Sequence, residues 1–121
     1  MLVSIIHRVT GDGLAIVGGA LFLWWLGAAA SGAAAYTHFV QIVWQQADAT
    51  SLSISNWIGR VVLVGLTWAV LQHSASGVRH LLLDTGAGYE LNVNRLWAMI
   101  VATVPVLLTA ILWIAILFGR L

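Results

Sequence analysis

Three long apolar stretches, residues 14–35, 57–83 and 96–118, dominate the chain and are separated by shorter polar intervals. The first holds only Gly, Ser and apolar residues, and the third carries no charge. The second is interrupted by Arg60, Gln72, His73, Arg79 and His80. Each is long enough to cross a hydrocarbon core of about 30 Å, which takes roughly 20 helical residues. No ten-residue alternation of apolar and polar positions marks a barrel strand, so helices are the spanning element the pattern predicts. The expected helices cover about 4–35, 57–84 and 94–119. Pro105 falls inside the third, where it removes the bond to the Val101 carbonyl and predicts a modest kink. Small residues recur every fourth place in the first stretch, at Gly11, Ala15 and Gly19 and again at Gly27, Ser31 and Ala35. Such a stripe lets a neighbouring helix approach closely, although Gly and Ala are simply abundant here as well.

Composition turns this pattern into a fold class. Of 121 residues, 61% are hydrophobic and only 7% charged, whereas a soluble domain carries about 25% charged residues. A chain this short cannot bury so much apolar surface within itself. The expectation is an all-α membrane protein, one domain over residues 1–121, whose three transmembrane helices form part of a larger inter-subunit bundle. With no Cys there is no disulfide framework, thiolate zinc site or iron–sulfur cluster. The net charge of +1 and the lack of a basic stripe exclude nucleic acid as a partner. The opening "MLVSIIHRVTG" has no charged n-region or cleavage site of a signal or transit peptide.

Charge placement sets the orientation. Arg8 precedes the first span, Arg79 and Arg95 flank the interval between the second and third, and the loop from 36 to 56 contains Asp48 but no basic residue. The positive-inside rule then puts the N-terminus and the second loop in the cytoplasm, and the C-terminus, with Arg120, outside. Trp24, Trp25, Trp44, Trp57, Trp97 and Trp113 lie mostly near the ends of the spans, as an aromatic belt would.

In that orientation Ser4, His7, Arg8, Asp12, Arg79, His80 and Asp84 all gather near the inner surface, where long side chains can snorkel. Ordinary positive-inside anchoring covers Arg79 and Arg95. It does not cover Ser4, Arg8 and Asp12, which recur every fourth residue on one helical face, nor His73, Gly77, His80 and Asp84, which share another. His73 lies about three turns before Asp84, roughly 16 Å along a helix and near the bilayer midplane. An imidazole there is a core histidine bonded to a hydroxyl on another helix, a proton relay, or an axial ligand to haem. Gly77, Ser74 and Ser76 would leave room for a flat macrocycle beside the helix. A bis-histidine haem needs a second ligand at equal depth. His7 and His80 lie nearer the inner surface, and His38 beyond the outer end of the first span. Three helices cannot enclose a haem either, so a partner subunit would supply the other ligand. Arg8 could then pair a haem propionate, or assist a quinone whose carbonyl is hydrogen-bonded by Ser4.

Two motifs now carry a resemblance. "SIIHRVTG", Ser4 to Gly11, resembles the S-x-x-H-R-x-S/T-G signature of the cytochrome b556 subunit family of succinate dehydrogenase. "HSASGVRHLLLDTG", His73 to Gly86, resembles the H-x-x-x-G-x-R-H-x-x-x-D pattern of the same family. The resemblance implies that His73 ligates the iron of haem b, with a second small membrane anchor on the opposite side. It implies that Ser4 and Arg8 line a ubiquinone site, that His7, Arg8, Arg79 and His80 lie near the haem propionates, and that Asp84 contacts the iron–sulfur subunit. The Arg- and Pro-rich stretch usual before the first motif has no counterpart in the three residues before Ser4, and Asp12 departs from the pattern and could pair Arg8.

The function so implied is that of a membrane anchor of succinate dehydrogenase, respiratory complex II. It works with a flavoprotein, an iron–sulfur subunit and a second anchor, and links the tricarboxylic acid cycle to electron transport. The chain would bind no succinate itself. A bacterial inner membrane is favoured over a mitochondrial one. The rival readings are the anchor of a quinol:fumarate reductase, a small proton-relaying transport subunit, and an anchor without haem.

Overall fold

A computed structural model describes residues 1–45 and 50–119. Asp48 and Arg120, two of the charges used to orient the chain, lie outside the described residues. Among the described residues five α-helices follow one another: α1 (Leu2–Gly13), α2 (Gly19–Ala30), α3 (Ala33–Val43), α4 (Ile54–Asp84) and α5 (Leu91–Leu117). A single π-helical turn, Leu14–Gly18, joins α1 to α2. Three stretches are long and apolar enough to cross a membrane: Leu2–Ala30, Ile54–Asp84 and Leu91–Leu117. In hydrocarbon every backbone N–H and C=O must be satisfied within its own segment, and a continuous helix achieves that.

The first helix departs from the expected 4–35 in two places. The π-helical turn interrupts it, and it ends at Ala30 instead of Ala35. Ser31 closes the last turn, its backbone N–H and its hydroxyl both donating to the Gly27 carbonyl. Gly32 then adopts φ 103°, a left-handed value open to glycine, and the chain sets off again as α3. Of the residues read as loop, 36–43 are therefore helical. Helix α5, in contrast, runs through Pro105 without a break.

By internal packing the chain divides into two compact units, one of Met1–Gly13 with Thr67–Leu121 and one of Leu14–Leu66. In the first, α5 buries Val101, Pro105, Thr109 and Trp113, one residue per turn along a single stripe. The Thr109 hydroxyl donates back to the Pro105 carbonyl at 2.7 Å, and the Trp113 indole donates to Thr67 Oγ1 on α4 at 3.2 Å. Arg79 at the end of α4 donates to Asn94 Oδ1 in the first turns of α5. Gly86 and Gly88, at φ 82° and 80°, carry the chain between the two helices.

The second unit is organised by Asn56. Its side chain is fully buried, and its amide donates to the carbonyls of Gln41 and Ile42 at 2.6 and 3.0 Å. Those carbonyls lie at the C-terminal end of α3, where the helix offers no N–H of its own. The Asn56 Oδ1 in turn accepts the Ser53 N–H at the start of α4. One side chain thus caps two helix ends. One turn on, Gly59 brings α4 so close to the Val43 backbone that no Cβ could be accommodated. Arg60 completes the junction, donating to Gln45 Oε1 and the Trp44 carbonyl while its guanidinium stacks 4.3 Å from the Trp44 ring. Ala28, Phe39 and Val43 form the small core beside this junction.

Large apolar side chains elsewhere stay exposed, Ile16 at 72% and Leu107 at 55% among them. These are surfaces for lipid or for partner helices. The α3–α4 junction generates a stability test by denaturation of the solubilised protein. Asn56→Ala, which orphans two carbonyls, should cost about 2–4 kcal/mol, and Gly59→Ala should also destabilise. Ser55→Ala, at an exposed site bonded only to Ser53, should change little. Equal stability of all three would refute the capping role.

Candidate functional site

Helical spacing sets the site. On α1, His7, Thr10 and Gly11 share one face, and on α4 His73, Ser76, Gly77 and His80 share another. These two faces meet. The His7 and His73 rings lie nearly parallel, centroids 3.9 Å apart and planes 12° apart, and His80 stands edge-on to His7 at 5.3 Å. Gly11 is what permits the approach: a Cβ there would fall 2.8 Å from His73 Cε1.

Hydrogen bonds fix the roles of the ring nitrogens. His73 Nδ1 lies 3.1 Å from the His7 carbonyl and 3.3 Å from Thr10 Oγ1. A carbonyl can only accept, so Nδ1 carries the proton. The buried Thr10 hydroxyl is itself committed to the Ile6 carbonyl at 2.8 Å, leaving its oxygen to face His73 as a second acceptor. With the proton on Nδ1, Nε2 keeps its lone pair, and it makes no hydrogen bond among the described residues. His7 is fixed separately, by a 2.7 Å bond between its Nδ1 and the fully buried Ser76 hydroxyl. Ser76 also donates to the Gln72 carbonyl, one turn back, at 2.8 Å.

This arrangement suits a metal ligand. A coordinating histidine ordinarily donates its second ring N–H to a carbonyl or carboxylate, which sets the tautomer and raises the basicity of the other nitrogen. No three His, Cys, Asp or Glu side chains among the described residues are placed to hold a bare metal ion. What the site offers is a single presented imidazole nitrogen.

Two expectations need correction. His7 is not separated in depth from His73, because the rings are stacked. It fails as a second ligand to the same iron for a different reason: parallel rings in van der Waals contact leave no space for a metal between them. Nor do Gly77 and Ser76 hold room for a macrocycle. Ser76 is bonded to His7, and a Cβ on Gly77 would lie 3.8 Å from His7 Cε1. Beside Ser76 and Gly77 that face of α4 is occupied by the His7 ring.

The remaining candidates separate. Ser4, Arg79, His80 and Arg95 line one cavity of about 530 Å³, together with the almost fully buried Gln72. Arg8 does not line it. Arg8 and Asp12 are both exposed and form no ion pair with each other among the described residues. Asp84 is exposed at the end of α4. Arg79 is engaged with Asn94, while its Nε is buried without a partner. Sequence reasoning singled out His7 and His73 and read Gly11 as part of a stripe allowing close helix approach, but it gave no positioning role to Thr10, Ser76 or the His7 carbonyl. The last can be found only in coordinates. Thr10 stood in the first motif, without a physical role until the packing was seen.

Residues 1–116 match the family described as succinate dehydrogenase/fumarate reductase transmembrane subunit. Among individual relatives, the succinate dehydrogenase cytochrome b556 subunit of Paracoccus denitrificans is 32% identical over 90 residues, which is 74% of this chain and 60% of that protein. The proteins of the same name from Rickettsia felis and Rickettsia typhi are each 28% identical over 112 residues, 92% of this chain and 77% of theirs. The matched stretch thus spans less than two thirds of the Paracoccus relative's length. No solved structure matches the chain significantly.

Proposed function

Since the chain belongs to the succinate dehydrogenase/fumarate reductase transmembrane subunit family, we propose that it is a membrane anchor of a bacterial succinate dehydrogenase that contributes one axial ligand to haem b. The observation that carries this reading is the state of His73. Its Nδ1–H is bound to the His7 carbonyl and its Nε2 lone pair is free, on a helix long enough to span the bilayer. Haem b, when bound, supplies a one-electron carrier within the membrane. His73 would hold the iron through Nε2 as a neutral ligand, adding no charge to the hydrocarbon. A second ligand must come from another subunit, since His7 is stacked on His73 and His80 packs against His7. The exposed apolar faces are consistent with partner helices completing the enclosure. Among the basic groups of the α4–α5 end, Arg79 and His80 are suited to the carboxylates of the macrocycle, joined by Arg8 from α1.

Ser4 and Arg8 are assigned to the quinone. The cavity lined by Ser4 has apolar walls and basic side chains, which suits a ring with polar carbonyls on an isoprenoid tail. The Ser4 hydroxyl would donate to one carbonyl. Arg8, exposed one turn further along α1, would stabilise negative charge as the quinone is reduced, in a pocket completed by other subunits. Succinate would be oxidised on a flavoprotein, with an iron–sulfur subunit passing electrons to this site and Asp84 available at the membrane surface for docking. In this reading the N-terminus lies on the cytoplasmic side of a bacterial inner membrane.

Dithionite-reduced spectra of the purified complex test the haem assignment: His73→Ala should abolish or displace the b-type bands. Unchanged bands would contradict it and favour a proton relay or a purely structural anchor. For the quinone, Ser4→Ala and Arg8→Leu should each lower quinone reduction roughly tenfold, about 1.4 kcal/mol and in line with loss of a hydrogen bond to a charged or developing charge. Reduction of a soluble dye should be spared. Equal loss of both activities would instead mean failed assembly.

A further inference from the structure

We propose that Thr10 and Gly11 are positioning residues that set the ring plane and the proton-bearing nitrogen of His73, so that one turn of α1 tunes an iron ligand carried by α4. The inference rests on the haem reading above. The χ2 torsion of a histidine is broad and roughly two-fold, so the side chain itself fixes neither its plane nor which nitrogen faces outward. Contacts must impose both. Among the described residues its ring stacking and hydrogen bonds come from α1: the His7 ring lies against one face at 3.9 Å, and the His7 carbonyl and Thr10 Oγ1 take the Nδ1 proton. Gly11 sits against the Cε1 edge with no room for a methyl group.

Thr10 is only 2% exposed and its hydroxyl proton is spent on its own helix. Its oxygen is therefore a fixed acceptor, not a rotor that could turn to donate. This keeps the proton on Nδ1 and the lone pair on Nε2. A second-shell acceptor of this kind makes the opposite nitrogen more basic and favours the oxidised metal. Loss of the Thr10 oxygen should accordingly raise the midpoint potential of the haem. Crowding from a Cβ at position 11 should instead turn the His73 ring.

The test uses the intact purified complex, with three measurements on each variant: haem content, midpoint potential, and the low-spin ferric electron paramagnetic resonance spectrum. Thr10→Val should retain haem with a raised potential, and Thr10→Ser, which restores the hydroxyl, should return it to the wild-type value. Gly11→Ala should shift the highest g value while haem is retained. Wild-type potential and spectrum in both Thr10→Val and Gly11→Ala would overturn the proposal, and so would Thr10→Ser behaving like Thr10→Val. Loss of the subunit from the complex in all three variants would make the role one of folding alone, and equally overturns it. Failure of the underlying haem reading is recognisable separately, because His73→Ala would then leave the wild-type haem signal intact.

Discussion

One hydrogen bond organises the site: the Nδ1–H of His73 donating to the backbone carbonyl of His7. In hydrocarbon an imidazole with neither nitrogen satisfied is costly, and a charged one costs more. Donating to a carbonyl that a helix would otherwise keep for itself resolves half of that problem. It also leaves the other nitrogen without a hydrogen bond among the described residues. The remaining features follow from letting the two helices approach closely enough to make this bond. Gly11 provides the space, the stacked rings of His7 and His73 fill it, and Ser76 keeps His7 from turning away.

The three spans were legible because hydrocarbon imposes a blunt rule on length and polarity, which residues 96–118 obey without a charge and residues 57–83 obey apart from a few polar positions. Pattern reading failed where a local backbone decision overrode composition. The stretch from 14 to 35 is uniformly apolar, yet the chain breaks at Ser31 and Gly32 and turns into α3. The Ser31-Gly32 pair is a turn signal, but Ser31 also falls in the small-residue stripe Gly27, Ser31, Ala35, which hid it. The π-helical turn at Leu14–Gly18 has no recognisable signature in so bland a sequence. His7 illustrates a different limit. Counting residues from the helix end put it near the surface, whereas its ring lies alongside that of His73, because depth depends on how two helices are staggered and not on position within one.

The second unit shows the same economy with different groups. Asn56, wholly buried, does for the end of α3 what the His7 carbonyl receives from His73: it pairs backbone groups that water cannot reach. Arg60 extends its stem and rests its guanidinium on Trp44. Two polar side chains placed four residues apart on α4 thus anchor a short helix that has too few apolar contacts to hold by burial alone. The broad apolar surfaces left over suit a membrane environment, in keeping with membership of a family of transmembrane subunits.

Electron–nuclear double resonance on the assembled ferric complex, with nitrogen-15 histidine confined to this chain, addresses the central claim directly. A single strongly coupled labelled histidine on the iron, lost in His73→Ala, is the expected result. No coupled label, or two, would contradict it: the first would remove His73 from the iron, and the second would mean that this chain supplies both ligands in spite of the stacked rings.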